Sequence, residues 1–183
     1  MPRYAYIILA VGWILWLMPF FIAESRGRKP AGTLDRRARW GMVIQAISYF
    51  VLWLGAFWAR TPQPWQVALS VLLLLLAMSL SWTATPALGQ QWRMDAGLNA
   101  DHELVRAGAY RLVRHPIYAS MLCVFLGTGF MIATWPCFLA AAVVFLIGTE
   151  IRVRIEDGLL ASRFGEQFRA YSRSTSAYVP FLR

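Results

Sequence analysis

The sequence is poor in the residues that most often bind metals or form disulfides. Its 183 residues include two cysteines and two histidines. Cys123 and Cys137 each lie in an apolar stretch, and neither they nor His102 and His115 form a CxxC or HxxxH pattern. Because a metal site needs several such ligands close together, we expect no dedicated metal site. The cysteines are expected to be small buried apolar residues.

Charged residues are also scarce. They make up 15% of the chain, against about 25% in ordinary soluble domains, whereas hydrophobic residues reach 58%. A soluble domain of this length still exposes about a third of the surface of its unfolded chain, so one core cannot hide this much apolar surface. We therefore expect a single integral membrane domain, residues 1–183.

Acidic residues and lysine are few, which leaves a net charge of +9 carried almost entirely by arginine. A basic protein of this kind could bind nucleic acid. However, the cations lie in clusters between long uncharged stretches, not on a soluble face. Clusters in such positions are typical of juxtamembrane anchors. The expected partner is therefore the lipid bilayer, and no nucleic acid.

Long uncharged runs predict an all-α, polytopic protein with five transmembrane helices. A bilayer core about 30 Å thick requires about 20 helical residues. The run 116–149 is too long for one crossing, and Pro136 offers a position where a new helix can begin. The predicted spans are residues 4–23, 40–59, 65–85, 116–133 and 135–151. Three spans thus fall in residues 1–86, and a C-terminal helical hairpin falls in residues 87–183.

The distribution of cations predicts the orientation. With five spans, Arg3 and Arg60 lie on one side of the membrane and the other 16 Lys and Arg residues on the opposite side. Because basic loops stay in the cytoplasm, we expect the N-terminus outside and the C-terminus in the cytoplasm. In a bacterium the membrane would be the inner one. A single crossing by residues 116–149 would separate Arg114 from Arg152 and spoil this bias.

Two charged segments flank the predicted hairpin. The polar stretch 87–114 is long for a passive connection, and long loops tend to be functional. After Arg152, apolar residues recur every three or four positions, which predicts an amphipathic cytoplasmic tail helix and then an extended end at 178–181. These apolar residues are Leu159, Leu160, Phe164, Phe168 and Tyr171.

The hairpin should bring ionisable residues together at one membrane boundary. Arg114 and His115 precede its first helix, and Arg152 and Glu156 follow its second. Ionisable groups gathered at a membrane edge indicate a functional site. Taken singly, each has a simpler explanation as an interface anchor or a solvated pair four residues apart.

Residues 102–118, HELVRAGAYRLVRHPIY, resemble the H-x-L-V-x-x-G-x-Y-x-x-x-R-H-P-x-Y signature of isoprenylcysteine carboxyl methyltransferases, which are related to the phospholipid methyltransferases. Residues 152–171 resemble that family's R-x-x-x-E-E-x-x-L-x-x-x-F-G-x-x-Y-x-x-Y run, and residues 179–181 its closing proline segment. Several spaced motifs in the right order are more specific than one short motif. The resemblance covers residues 101–181, and the first three spans match only as hydrophobic helices.

The resemblance implies S-adenosyl-L-methionine as cofactor, S-adenosyl-L-homocysteine as product, and a lipophilic substrate that enters from the membrane. The residues implied to contact the cofactor are His102, Glu103, Leu104, Val105, Tyr110, His115, Pro116, Ile117, Tyr118 and Glu156. Arg152 resembles the family arginine that meets the carboxylate of the substrate. Arg114 and Arg152 are the implied catalytic residues.

Three positions depart from the family pattern. Asp157 replaces the second glutamate of the pair, Ala109 replaces a frequent proline, and Asp95 stands where animal enzymes tend to carry a glutamine. The acceptor stays open among a prenylated-protein carboxylate, an isoprenoid, a fatty acid, a phospholipid and a thiol. Two alternatives are an NADPH-dependent membrane reductase of the sterol type, whose C-terminal region is similar, and a non-catalytic membrane scaffold.

Overall fold

The computed structural model describes residues 1–25, 31–55, 57–99 and 101–180, and these residues are mostly helical. The helices are α1 (Arg3–Ser25), α2 (Ala38–Leu52), α3 (Pro64–Leu88), α4 (Pro116–Ile132), α5 (Trp135–Phe164) and α6 (Glu166–Ser174). Short 3-10 turns lie at Phe57–Ala59, Gly89–Gln91 and Gly108–Arg111, and two strands, β1 and β2, lie at Ala31–Leu34 and Gly97–Asn99. Four of the 16 cations predicted on the cytoplasmic side, Arg26, Arg28, Lys29 and Arg183, lie outside the described residues, as does Phe181 of the predicted extended end.

The long helices expose apolar side chains as lipid-facing helices do. α1, α3 with the turn after it, and α5 contain windows with mean hydropathy of 2.2, 2.1 and 1.8, of which 28%, 28% and 39% is buried. Ile7, Leu72 and Leu139 are among the large apolar side chains on their outer faces. α2 and α4 are shorter apolar helices. This is the architecture of a helical integral membrane protein.

Helix α5 extends well beyond the predicted end of the last span. It continues past residue 151 through its charged turns and ends where Gly165 takes a φ of 51°, a conformation that glycine adopts without strain. The predicted tail helix is therefore divided: Leu159, Leu160 and Phe164 belong to α5, and Phe168 and Tyr171 to the nine-residue α6. Residues 152–164 contain no proline, and the one glycine among them, Gly158, lies within the helix, where an isolated glycine is tolerated.

Besides its helices, the structure contains a small two-stranded sheet, which the all-α prediction did not include. β1 pairs antiparallel with β2, with Thr33 opposite Leu98 and Leu34 opposite Gly97. Strands of three and four residues are too short to show the alternation by which a strand is recognised in a sequence. This small sheet ties the segment before α2 to the polar loop after α3.

Three pairs of helices make most of the close contacts between helices. α2 packs along α5, α3 along α4, and α1 beside α3. A Cβ atom on Gly148 would lie 2.7 Å from the carbonyl oxygen of Gly41, and Ser70 donates a hydrogen bond of 2.7 Å to the carbonyl of Gly127. Helices α4 and α5 therefore double back as predicted, but each packs mainly on an earlier helix and not on the other.

Aromatic rings and buried hydroxyls hold the bundle together. Phe125 of α4 stacks on Phe145 of α5 with 4.5 Å between ring centroids, and the Tyr49 ring contacts both. The indole of Trp16 donates a hydrogen bond of 3.0 Å to the hydroxyl of Ser120. Such hydrogen bonds satisfy polar groups between helices that water does not reach.

The bundle has two distinct ends. At one end, the amino group of Met1 donates to the carbonyl of Trp58, and Gly55 lies beside Thr134. The opposite end carries the two-stranded sheet, the polar loop after α3 and the charged turns of α5. The predicted site residues lie at this second end.

Candidate functional site

A cavity opens at the charged end of the bundle. It contains about 860 Å³ of space, which includes the part that is open to solvent. The predicted residues that line it are His102, Glu103, Leu104, Val105, Tyr110, Arg114, His115, Ile117, Tyr118, Arg152 and Glu156. Pro116 does not line it and instead begins α4 as a fully buried residue.

The start of α4 places two rings beside α5. Because Pro116 fixes the first position of the helix, His115 precedes it and Tyr118 follows in the first turn. The two rings stack with 5.5 Å between their centroids. Both therefore face the carboxylates of α5.

The carboxylate of Glu156 is held by both of these rings. The hydroxyl of Tyr118 donates to Oε1 of Glu156, and Nδ1 of His115 lies 3.5 Å from Oε2. The Glu156 side chain keeps 26% of its surface exposed. A carboxylate has more acceptor positions than these two contacts use, so Glu156 can accept further hydrogen bonds from a ligand in the cavity.

His115 lies between two carboxylates. Its Nε2 is 2.8 Å from Oδ1 of Asp157, while Nδ1 faces Glu156. Ionised carboxylates only accept hydrogen bonds, so both ring nitrogens must donate and the ring carries a charge. Burial lowers the pKa of His115, but the hydrogen bonds and charges of Asp157 and Glu156 outweigh it and raise the pKa to about 9.

Arg114 is engaged with the chain after α5. Its NH2 group lies 2.9 Å from Oδ2 of Asp157, and NH1 donates to the carbonyls of Ser172, at 3.2 Å, and Thr175. These contacts fasten the tail to the start of α4. Arg114 lines the cavity, but most of its guanidinium is occupied by the protein itself. Asp157, the shorter replacement for the family glutamate, still reaches both Arg114 and His115.

Arg152 is the buried cation of the cavity, with 7% of its surface exposed. Its NH1 donates to Oε1 of Gln45 at 3.2 Å and its NH2 to the carbonyl of Met94 at 3.0 Å. The guanidinium carbon lies 4.7 Å from the centroid of the Tyr118 ring, a cation–π distance. Nε of Arg152 finds no hydrogen-bond partner among the described residues.

The loop after α3 and the tail complete the walls. The backbone NH of Glu103 donates to Oε1 of Gln91 at 2.8 Å, and the hydroxyl of Tyr171 donates to the carbonyl of Tyr110. Burial, followed by the positive charge of Arg163, lowers the pKa of His102. Nδ1 of His102 is buried without a partner in the described part of the chain, which leaves it available to a ligand.

Sequence reasoning missed the residues that hold Arg152. Gln45 comes from α2, and Met94 contributes a backbone carbonyl. A carbonyl leaves no mark in a sequence. Gln45, however, is an amide within an uncharged span, and polar residues within membrane spans often have a functional role.

Fold and site together define a class: a helical membrane protein with a cavity at one end of the bundle, lined mostly by apolar surface and also by a buried arginine and a partly exposed glutamate. Residues 65–167, more than half of the chain, match the phospholipid methyltransferase family. The chain therefore belongs to the phospholipid methyltransferase family, and the resemblance seen in the sequence is confirmed.

Named relatives agree with this assignment. Protein-S-isoprenylcysteine O-methyltransferase A of Arabidopsis thaliana is 37% identical over 81 residues, 44% of this chain and 41% of that protein. Protein-S-isoprenylcysteine O-methyltransferase B of the same plant is 26% identical over 144 residues, 77% of this chain and 72% of that protein. Both are similar to this chain and named for methyl transfer.

A third relative is the cobalt-zinc-cadmium resistance protein CzcN of Cupriavidus metallidurans, 30% identical over 151 residues, 82% of this chain and 66% of that protein. The chain thus spans less than two thirds of the length of CzcN and of the first Arabidopsis enzyme. Within residues 1–25, 31–55, 57–99 and 101–180, no group of three or more His, Cys, Asp or Glu side chains is placed to hold a metal ion.

Proposed function

We propose that this chain transfers a methyl group from S-adenosyl-L-methionine to a lipophilic acceptor that carries a carboxylate, at the cytoplasmic edge of the membrane. One observation carries this proposal: Arg152 and Glu156 line the same cavity, and their spacing of four residues places them on one face of α5. The carboxylate can hold a cofactor that carries cationic and hydroxyl groups, and the arginine can hold an anionic acceptor.

The cavity suits this cofactor. The free acceptor positions of Glu156 can bind the amino group or the ribose hydroxyls of S-adenosyl-L-methionine. The rings of Tyr110 and Tyr118 offer aromatic surface to adenine or to a sulfonium cation, and the buried Nδ1 of His102 offers one further polar contact. When bound, the cofactor supplies an electrophilic methyl group. No acid is required to activate it, so the protein mainly has to orient the acceptor.

Arg152 has donors left for the acceptor. A guanidinium carries five N–H donors, and the described contacts use one on NH1 and one on NH2. The unpaired Nε and the remaining hydrogens can hold and orient a carboxylate. A carboxylate arrives as an anion and needs no base to remove a proton, which fits a site whose histidine is already charged.

A groove on the outside of the bundle offers a route for an apolar chain. It runs between α2 and α5 and is lined by the apolar side chains of Trp40, Ile151, Ile155 and Leu159, by Gly158, and by the charged residues Asp35, Arg37 and Arg154. Leu159 also lines the cavity. We infer that the apolar part of the acceptor lies in this groove while its anionic end reaches past Leu159 to the cavity.

The same proposal includes five crossings, with the N-terminus outside and the C-terminus cytoplasmic. α2 has 15 residues, so the helix alone spans only about 22 Å. The turn at Phe57–Ala59 carries the chain on toward the Met1 end of the bundle. That end carries Arg3 and Arg60. The cation-rich segments lie at the other end, which supports a cytoplasmic cavity.

Titration of the detergent-purified protein with S-adenosylhomocysteine tests this function. Glu156→Ala should weaken binding by about tenfold or more, because a hydrogen bond to a charged group is worth about 1.5–3 kcal/mol. Glu150→Ala is the matched control, since Glu150 lies on the same helix and pairs with the exposed Arg154. Arg152→Ala should keep cofactor binding and lose methylation of a carboxylate acceptor.

Other results would contradict the proposal. Saturable binding of NADPH without binding of S-adenosylhomocysteine would indicate the membrane reductase. No saturable binding of either would indicate a scaffold. Equal affinities of the Glu156→Ala protein and the wild type, with both folded, would remove Glu156 from the cofactor site.

A further inference from the structure

We propose that Gln45 of α2 is a positioning residue that fixes the guanidinium of Arg152 for the acceptor. This inference rests on the proposed function, in which Arg152 holds the anionic group of the acceptor. Gln45 lies outside residues 65–167, the part of the chain that matches the family. It would make a helix of the N-terminal half a part of the site.

Hydrogen bonds fix the direction of the Gln45 amide. The hydroxyl of Thr149 donates to the carbonyl of Phe145 at 2.9 Å, so it can only accept from Gln45. Nε2 of Gln45 donates to this hydroxyl at 2.8 Å. The amide oxygen must therefore face NH1 of Arg152, which donates to it at 3.2 Å. A flipped amide would place a donor against a donor at both contacts.

Packing leaves the side chains of Gln45 and Arg152 little room to move. A Cβ atom on Gly41 would lie 2.5 Å from Cγ of Arg152, and one on Gly148 would lie 2.9 Å from Cγ of Gln45. The stem of Arg152 thus lies directly against the backbone of α2. Gln45 itself is 3% exposed, so without its oxygen NH1 would lose its partner in a place that water does not readily replace.

The hydrogen bonds described above leave part of the Arg152 guanidinium unused. Gln45 holds NH1 and the carbonyl of Met94 holds NH2, while Nε is buried without a partner among the described residues. These two contacts fix the plane of the guanidinium. Arg152 lines the cavity, so the donors that the two contacts leave over are the ones that a ligand can meet.

Gln45→Met keeps the length of the side chain and removes both polar atoms. We expect the dissociation constant of S-adenosylhomocysteine to stay within about twofold, and the KM of N-acetyl-S-farnesylcysteine as probe acceptor to rise about tenfold. Thr149→Val, which frees the other end of the amide, should raise the same KM by less. Ser70→Ala is the control, since it removes a buried interhelical hydrogen bond between α3 and α4, far from Arg152.

A second readout needs no acceptor. With S-adenosylhomocysteine bound, modification of Arg152 by phenylglyoxal, followed by mass spectrometry, should be several-fold faster in Gln45→Met than in the wild type or Ser70→Ala. Equal rates in all three would overturn the inference. So would a Gln45→Met protein that loses cofactor affinity and probe affinity equally, because that result indicates only a loosened helix contact. Failure of the wild type to bind S-adenosylhomocysteine would instead overturn the proposed function.

Discussion

At the residue scale, His115 links the two carboxylates of α5 to the start of α4. Burial lowers its pKa, but the hydrogen bonds that the ring donates to Asp157 and Glu156, together with their charges, raise the pKa above the ordinary value of 6.5 to about 9. A folded-state pKa above the unfolded one adds stability that is fully present below about pH 6.5. That stability is lost as the pH rises through about 9.

Thermal unfolding in detergent should show this loss. Between pH 7 and pH 10 the apparent Tm of the wild type should fall more steeply than that of His115→Gln, which has no imidazole to titrate. Other groups titrate in both proteins, so the difference between the two curves isolates His115. Parallel curves would mean that His115 is not charged between its carboxylates.

Spaced motifs in the sequence predict most of the residues that line the cavity, but they do not predict the residues that hold Arg152 in place. Residues 102–105 and Glu156 are recognisable because the family repeats them at fixed spacing. The Gln45 amide and the Met94 carbonyl are not, because one lies on a helix without a motif and the other is backbone. Pro116 belongs to the motif for a different reason, since it starts α4 and so orients the residues on either side.

At the scale of elements, the chain after α5 acts as a clamp on the start of α4. The backbone NH groups of Arg114 and His115 donate to the carbonyls of Ser176 and Ala177, each at 2.8 Å, and the Arg114 side chain adds its ion pair with Asp157. α6 also supplies Tyr171 to the cavity wall. Release of this segment should therefore open the cavity.

Arg114→Gln should loosen residues 165–180. It removes the partly buried ion pair with Asp157 and the guanidinium contacts to the tail carbonyls, so we expect hydrogen–deuterium exchange in this segment to become about tenfold faster. Arg154→Gln is the control, because its pair with Glu150 is exposed and such pairs contribute little. Indistinguishable exchange in the two variants would show that the backbone contacts alone hold the tail.

Element boundaries followed from the sequence where a breaker marks them. Pro116 and Pro136 lie at helix starts as predicted, because proline fits the first turn of a helix. Pro64 also begins a helix, one residue before the predicted start of the third span. The last span is predicted to end at residue 151, where charged residues begin, whereas α5 continues to Phe164. Charged residues end the contact of a helix with lipid, but they do not end the helix. The helix ends only at Gly165.

At the scale of the whole molecule, the charges, the cavity and the outer groove belong to the same end of the bundle. α2 contributes Gln45 to the site and one wall of the groove, while α3 and α4 carry the loop and the rings. Helix α2, from the N-terminal half of the chain, therefore helps to shape the site. This arrangement requires that all the cavity-lining segments reach the same side of the membrane.

Single cysteines in a protein with Cys123→Ser and Cys137→Ser test that requirement. Leu112→Cys introduces an exposed thiol before α4, and Ser162→Cys introduces one near the end of α5. Thr61→Cys places a thiol at the opposite end of the bundle. In intact cells a membrane-impermeant maleimide should label Thr61→Cys, and it should label the other two only after permeabilisation. Because α4 and α5 double back, Leu112→Cys and Ser162→Cys must always behave alike. Labelling of these two positions from opposite sides would separate Arg114 from Arg152, and no shared cavity could then exist in the membrane.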